Sequence, residues 1–392
     1  MQTKVKRRPF GATGLQVSEV ALGAMNLRML ENAQEGLDLI HYVLDQGINL
    51  IDTARAYNGV TKSGEEVQSE RLVGQAIRAR TDIDEPIVII TKGHSYMPKD
   101  FDENFQTSIK TLGVEKRDGK LYIGSTEIKL VYFFHGIKKD RWEQMTASNV
   151  IEYAKQRQAS GDFSYLGFSA HYGDGEQIKA AIDSGAMQVV ELPYNVYNRS
   201  IGEDGVFDAL SYAHEHGLAV VNMKCFNGNG MVPATKIVRE VCNISHGDML
   251  RFSLSNTNVS CIDAGARQIA EFEADVEASL LPPMTQEERQ ALKTTADQVS
   301  NLLDGICREC MHCLEKFSCP QGIDFPTILG IHARYSMSGA LGVDQKPYVR
   351  QYQALPGPLA DACIGCGGCS GWCEYHLNIP AMMQKALEQL AD

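Results

Sequence analysis

The stretch Ala33–Asp52, AQEGLDLIHYVLDQGINLID, decides the fold. Apolar residues recur at helical spacing over Ala33–Gln46, and a short apolar run, Asn49–Asp52, follows and ends on an ionisable side chain. The same alternation continues on both sides. Runs that read as strands are Val17–Gly23, Asn49–Asp52, Ile87–Thr91, Leu130–His135, Tyr165–Ser169, Val189–Glu191, Ala219–Lys224 and Val259–Asp263. Helical segments between them include Ser69–Ala79, Gln177–Ser184, Phe207–His216 and Arg267–Ala278. Strands alternating with helices predict a parallel sheet. Eight such units in this length of chain predict a (β/α)8 TIM barrel. A doubly wound open sheet is the alternative, but no GxGxxG follows the first strand.

Two segments interrupt the rhythm. Residues 3–16 carry the turn signal Gly11-Ala12-Thr13-Gly14 and predict a hairpin closing the barrel floor. Between Lys110 and Leu130 the chain alternates around Asp118-Gly119, which predicts an inserted hairpin. After Ala278 the pattern changes. Leu281-Pro282-Pro283 is a breaker, and Thr285 with Glu288 forms a capping box that starts a helix through about Leu303. A last helix is expected near Ala381–Leu390. The expected domains are 1–280, the barrel, and 281–392, a small, mostly helical tail.

The bulk properties narrow the function classes. The chain has 392 residues, 44% apolar and 22% charged, ordinary for a globular enzyme. A formal net charge of −12 argues against nucleic acid or an anionic membrane as the main partner. No apolar stretch approaches the ~20 residues of a membrane span. The basic start lacks the apolar core of a secretory signal, so a cytoplasmic protein is expected.

Cysteine usage is lopsided. Three of the eleven (Cys225, Cys242, Cys261) are scattered and read as inert buried residues, while the other eight lie between Cys307 and Cys373. They form two runs, Cys307-x2-Cys310-x2-Cys313-x5-Cys319-Pro320 and Cys363-x2-Cys366-x2-Cys369-x3-Cys373. Zinc sites usually use two CxxC knuckles, and disulfides are disfavoured in a reducing compartment. Three cysteines at successive x2 spacings wrap one corner of a cubane, the two-cluster ferredoxin pattern, in which the fourth cysteine serves the other cluster. Two [4Fe–4S] clusters are therefore expected: one on Cys307, Cys310, Cys313 and Cys373, the other on Cys363, Cys366, Cys369 and Cys319. The longer final spacer of the first run, and Glu374 where a proline often follows the second, depart from that pattern.

Active sites of such barrels sit at the C-terminal ends of the strands. The ends of strands two to eight are Asp52, Lys92, His135, Ser169, Glu191, Lys224 and Asp263, all polar or ionisable. Tyr57, five residues past Asp52, shares that rim. A free phenol has a pKa near ~10, too high for efficient proton donation at neutral pH. A nearby Lys92 ammonium is expected to lower it, with Asp52 holding the lysine charged. His135 is placed to fix a substrate carbonyl oxygen beside the phenol.

INLIDTARAYN (Ile48–Asn58), SERLVGQAI (Ser69–Ile77), IITKG (Ile89–Gly93), FFHG (Phe133–Gly136), GFSAH (Gly167–His171), PYNVYNR (Pro193–Arg199) and MKCF (Met223–Phe226) together resemble the aldo-keto reductase family over about residues 5–278. The cysteine-rich tail resembles the branch with a C-terminal ferredoxin-type domain. The resemblance implies a tetrad of Tyr57 as proton donor, Asp52 and Lys92 as its tuners and His135 as substrate orienter. It also implies NAD(H) or NADP(H) across the barrel mouth, with nicotinamide contacts at Ser169 and Glu191. Lys224, Phe226, Gly265 and Arg267 fall in the segments matching the family's remaining cofactor contacts. Glu191 replaces a usual glutamine, Ala170 a common asparagine and Met223 a tyrosine that stacks on the nicotinamide. In GARQIAEFEAD (Gly265–Asp275), Glu271 and Asp275 replace a glutamine and an asparagine, and their charge would repel a 2′-phosphate, so NADH is favoured. Gly228-Asn229-Gly230 offers backbone N–H groups to a diphosphate.

The expected function is a carbonyl–alcohol oxidoreductase acting on a small molecule, its clusters exchanging electrons with a ferredoxin or flavoprotein. The alternatives are an ordinary NAD(P)H-dependent reductase with structural clusters, and a non-enzymatic redox-sensing or binding subunit.

Overall fold

Short β-branched runs have too few residues to stand alone and bury both faces only when they close on one another. In the computed structural model, which describes residues 5–171, 175–226, 241, 244–303, 305–307, 312–373 and 376–391, they do so. The strands are β1 (Val20–Gly23), β2 (Leu50–Asp52), β3 (Ile87–Gly93), β4 (Thr126–Ile137), β5 (Tyr165–Ala170), β6 (Val189–Pro193), β7 (Ala219–Met223) and β8 (Cys261–Ala264). Each pairs in parallel with the next, and β8 pairs with β1, closing a (β/α)8 barrel.

Alternate residues of these strands fill the interior. Ala21, Leu50, Val88, Ile90, Val131, Phe133, Val189, Ala219, Val221 and Cys261 form one buried cluster with Phe10 and Val17. Phe10 comes from the floor hairpin, Arg7–Pro9 against Gln16–Ser18, and is fully buried. The hairpin is fastened by Ala12 N–H donating to Gly217 O at 2.8 Å and the Tyr165 hydroxyl donating to Thr13 O at 3.2 Å. With apolar residues below, the polar strand ends are left at the opposite, C-terminal rim.

The helices follow the expected order. α1 (Ala33–Asp45) starts at Asn32, whose side chain accepts from Glu35 N–H, and α2 (Ser69–Arg78) and α3 (Pro98–Leu112) come next. The inserted hairpin is present as Glu115–Arg117 against Lys120–Ile123. Asp118 and Gly119, both at positive φ, form its turn, and its second strand pairs antiparallel with the start of β4. A further hairpin, Asn58–Val60 against Glu66–Gln68, has no sequence signal because it is mostly exposed and carries no alternating apolar face.

The chain forms two compact units, Met1–Cys225 with Leu250–Met284, and Phe226–Met249 with Thr285–Asp392. The second contains the C-terminal helical extension. Its first helix, Gln286–Leu303, begins at the expected capping box. Thr285 N–H donates to Glu288 Oε2 at 2.8 Å, and Glu288 N–H donates to Thr285 Oγ1 at 3.2 Å. Helices Phe325–Ala340, Lys346–Gln353 and Ile379–Leu390 then pack Phe325, Ile328, Leu329, Tyr352, Met383 and Leu390 into a small core.

α2 and α3 touch at Gly74, where a Cβ would lie 2.1 Å from Leu112 O. Gly74→Ala must push backbone against backbone, so we expect a loss of about 2 kcal/mol, the scale of an overpacked core. Denaturant melts of the two proteins measure it, and equal midpoints would contradict this close approach.

Candidate functional site

Four strand ends converge at the rim. Asp52 closes β2 and Lys92 lies one residue before the end of β3, both fully buried. The Lys92 ammonium donates to Asp52 Oδ1 in a short contact and to the Tyr57 hydroxyl oxygen at 3.3 Å. It also lies 3.4 Å from Glu191 Oε2 and 3.5 Å from Thr53 O. A primary ammonium has three protons, and these acceptors account for all of them.

Tyr57 reaches the lysine because the loop after β2 is tied down. Arg55 N–H donates to Lys92 O, Tyr57 N–H to Ala54 O and Ser69 N–H to Tyr57 O. The Thr53 and Ser69 hydroxyls meet at 2.7 Å, and Ser69 donates on to Ala24 O. The Tyr57 and His135 rings lie edge to face at 6.0 Å. His135 also stacks flat on His94, with ring centres 4.7 Å apart. Burial, followed by Lys92, His94, His171 and Arg141, pushes His135 down to about 3, so its imidazole is neutral at physiological pH.

The phenol differs from expectation. Lys92 does pull the Tyr57 pKa down, but burial pushes it up, and Asp52, Glu191 and Asp263 add to the push. The net direction is upward because burial of the phenol outweighs the pull of the one ammonium, and the three carboxylates add to it. Tyr57 is therefore held protonated rather than acidified.

The residues with cofactor expectations are dispersed. Ser169 pairs in register with Glu191, and its hydroxyl accepts from Gly136 N–H at 2.8 Å, fixing the backbone beside His135. Glu191 is engaged with Lys92. Lys224 has a left-handed backbone (φ 60°), sparsely populated for a non-glycine residue, and its ammonium meets His171 Nδ1 at 3.1 Å. A Cβ on Gly265 would lie 2.7 Å from Asn26 Nδ2. Arg267 turns back on Glu271, which accepts from both its amide and its guanidinium. Phe226 belongs to the second unit, where it stacks on His246 with ring centres 3.6 Å apart. Gly228-Asn229-Gly230 lies outside the described residues. Sequence reasoning gave no role to His94, His171 or Asp263. Asp263 stood among the strand ends, and that position was the signal available.

In the second unit the two cysteine runs end in equivalent turns. Cys319-x3-Ile323-Asp324-Phe325-Pro326 matches Cys373-x3-Leu377-Asn378-Ile379-Pro380. Gly322 and His376, each third after its cysteine, adopt left-handed backbones, and their N–H groups donate to the O of Cys319 and Cys373. Asp324 and Asn378 then cap the next helices, each with proline in the first turn. Cys319, Cys363, Cys366 and Cys369 line one small cleft together with Phe317, Ile323, Ile379 and Met383. Cys307, Cys313 and Cys373 pack around the same core. Cys310 lies outside the described residues.

Residues 19–246 match the aldo/keto reductase family. Over 100 residues the chain is 34% identical to a 6-dehydroglucose reductase of Novosphingobium aromaticivorans, covering 25% of this chain and 32% of that protein. It is 24% identical over 218 residues to the uncharacterized oxidoreductase YrpG of Bacillus subtilis, covering 54% of this chain and 64% of that protein. The matches thus span less than two thirds of either relative's own length. The fold is similar to that of the aldo-keto reductase AKR11C1 from Bacillus halodurans in its holo form, with TM-score 0.59 and 22% identity over 74% of this chain and 96% of that one. Among the described residues no helix is long and apolar enough to cross a membrane.

With a pKa of about 3, His135 stays neutral when ordinary histidines gain a proton. Its ring resonances should hold still between about pH 5 and 8 in NMR titrations, while those of exposed histidines move. A midpoint for His135 near ~6.5 would contradict this electrostatic picture.

Proposed function

The chain belongs to the aldo/keto reductase family, and on that premise we propose that it interconverts a carbonyl and an alcohol at the barrel mouth, exchanging electrons with a ferredoxin or flavoprotein through two [4Fe–4S] clusters in its tail. The observation that carries the reading is the single buried ammonium of Lys92 touching Asp52 and the Tyr57 hydroxyl, with His135 facing the same phenol. When bound, a nicotinamide would supply a hydride, that is an electron pair, and the clusters would carry single electrons.

The chain's own residues supply the proton and the orientation. In the reducing direction Tyr57, held as the neutral phenol, gives its proton to the substrate oxygen as that oxygen gains charge. An alkoxide is more basic than a phenolate, so even a phenol of raised pKa donates to it. Lys92 stabilises the phenolate that remains. Neutral His135 offers one N–H to the substrate oxygen and so orients the carbonyl.

Several observations bear on the cofactors. Glu271 already occupies the Arg267 guanidinium, which leaves that cation poorly placed for a 2′-phosphate and supports NADH over NADPH. Four thiols around one apolar-walled cleft support a cluster on Cys363, Cys366, Cys369 and Cys319. The duplicated turn after Cys319 and Cys373 supports a second, equivalent cluster on Cys307, Cys310, Cys313 and Cys373.

Anaerobically purified protein should contain about eight irons and about eight sulfides per chain, with the visible absorbance of cubane clusters. Tyr57→Phe should lower turnover of carbonyl–alcohol pairs by about 10²–10⁴-fold without changing the iron content. Cys366→Ser should remove about half the iron and abolish transfer to one-electron acceptors. Iron-free protein, or full turnover by Tyr57→Phe, would overturn the corresponding half of the proposal. Transfer surviving in Cys366→Ser would mean that the clusters are structural.

A further inference from the structure

The mouth of the barrel holds more carboxylates than its mechanism uses. Asp52, Glu191 and Asp263 each bring an oxygen within 4.8 Å of the others, beside the ammonium of Lys92. Asp52 and Glu191 are buried, and Asp263 is half-buried, leaning over Gly23 so closely that a Cβ there would lie 2.6 Å from Asp263 Oδ1. Fully buried Asp52 Oδ2 has no hydrogen-bond partner, and neither has Asp263 Oδ1. Among the described residues Lys92 pairs with part of this charge, and Lys224, which Glu191 also influences, forms no ion pair with the three acids, so surplus negative charge remains in a poorly solvated space, where an unpaired ion costs several kcal/mol. Such a cluster takes up positive charge, and the smallest cation available is the proton.

The proton has a natural place. Asp52 touches the ammonium and Glu191 lies 3.4 Å from it, whereas Asp263 makes no ion pair with Lys92 among the described residues. Asp263 is the carboxyl least served by the cation. The other charged or titratable groups facing the cluster are Tyr57 from the loop after β2, His135 from β4, Lys224 from the end of β7 and the Cys261 thiol on β8. None of them forms an ion pair with Asp263. Burial and then Glu191 push the Asp263 carboxyl up to about 7, against the pull of Lys92; burial pushes Asp52 upward too, but Asp52 alone of the two is in contact with the ammonium.

We propose that Asp263 is a proton store for Tyr57, holding a proton as the carboxylic acid near neutral pH and releasing it through Asp52 and Lys92 after the phenol has been spent. The idea rests on the carbonyl-reducing role of Tyr57 given above. In that direction the hydride pair from dihydronicotinamide forms the new C–H bond, and the carbonyl π pair becomes an alkoxide. The Tyr57 O–H bond breaks as the alcohol O–H forms, and a Lys92 N–H bond breaks as the phenol is restored. The amine regains its proton through Asp52 from Asp263, which ends as a carboxylate until water reprotonates it. Asp263 touches no substrate in this scheme and is a positioning residue for the proton.

Infrared spectra of the intact, cluster-loaded protein test the store without any substrate. A carboxylic-acid C=O band should titrate near pH 7 and be absent from Asp263→Asn. Glu191→Gln removes the nearest repelling charge and should shift that titration down by about one unit. The folded carboxyl keeps its proton above its ordinary value of 3.8, so the stability it confers is complete below that value and lost as pH rises through about 7. Thermal melts of the wild type should therefore weaken from pH 5 to pH 9, and those of Asp263→Asn should weaken less. With a carbonyl substrate, reductive turnover should fall through the same pH range in the wild type and lose that dependence in Asp263→Asn. A titrating band that survives Asp263→Asn, no such band in the wild type, or a metal ion bound at the three carboxylates would each overturn the store. If Asp263→Asn fails to fold, an unshifted band in Glu191→Gln overturns it as well. An intact band alongside undiminished turnover in Tyr57→Phe would instead defeat the catalytic reading beneath it.

Discussion

The buried ammonium of Lys92 is the constraint on which the barrel mouth depends. It is fully buried, and burial alone would drive a lysine towards neutrality. The carboxylates of Asp52 and Glu191 reverse that, so the lysine stays charged because the acids surround it. The acids are tolerable in turn only because the lysine is there. Removing either side leaves an uncompensated charge in a poorly solvated space, the costliest kind of defect in a protein interior. The fold makes this arrangement possible by giving each group its own strand, so parallel register rather than flexible loops sets their spacing.

Much of this was legible in the chain. Eight apolar runs alternating with helical segments are a local, periodic signal, and the structure follows it to within a few residues at most element ends. The capping box at Thr285 and the positive-φ turn at Asp118-Gly119 were readable because each depends on two or three adjacent residues. The exposed hairpin at Asn58–Gln68 left no trace because no face of it had to be apolar. The sign of the Tyr57 shift was misjudged for a different reason. Pairing a phenol with a lysine 35 positions away needs only the rule that strand ends converge, whereas the net shift depends first on how deeply the phenol is buried and then on the positions of Asp52, Glu191 and Asp263. Electrostatics in a pocket is a many-body quantity, and sequence spacing supplies it one pair at a time.

The tail obeys a different economy of structure. Its core is small, and thiols make up part of its surface and interior. A core of that size gains much from a covalent or metal cross-link. The two halves of the tail use the same short device, a left-handed residue followed by a capped helix, and differ in what occupies the left-handed position. Gly322 takes that conformation freely, whereas His376 adopts it at a steric cost that a glycine does not bear.

Phe10 and the hairpin beneath it stopper the lower end of the barrel. The carboxylates lie at the other end, the C-terminal rim, with this packed layer between them and the floor. If the proposed reaction runs there, a substrate seated at the rim leaves only the groups between rim and floor to exchange protons with it. On that reading the bottom of the barrel, by being packed solid, makes the handful of ionisable side chains at the top a self-contained set.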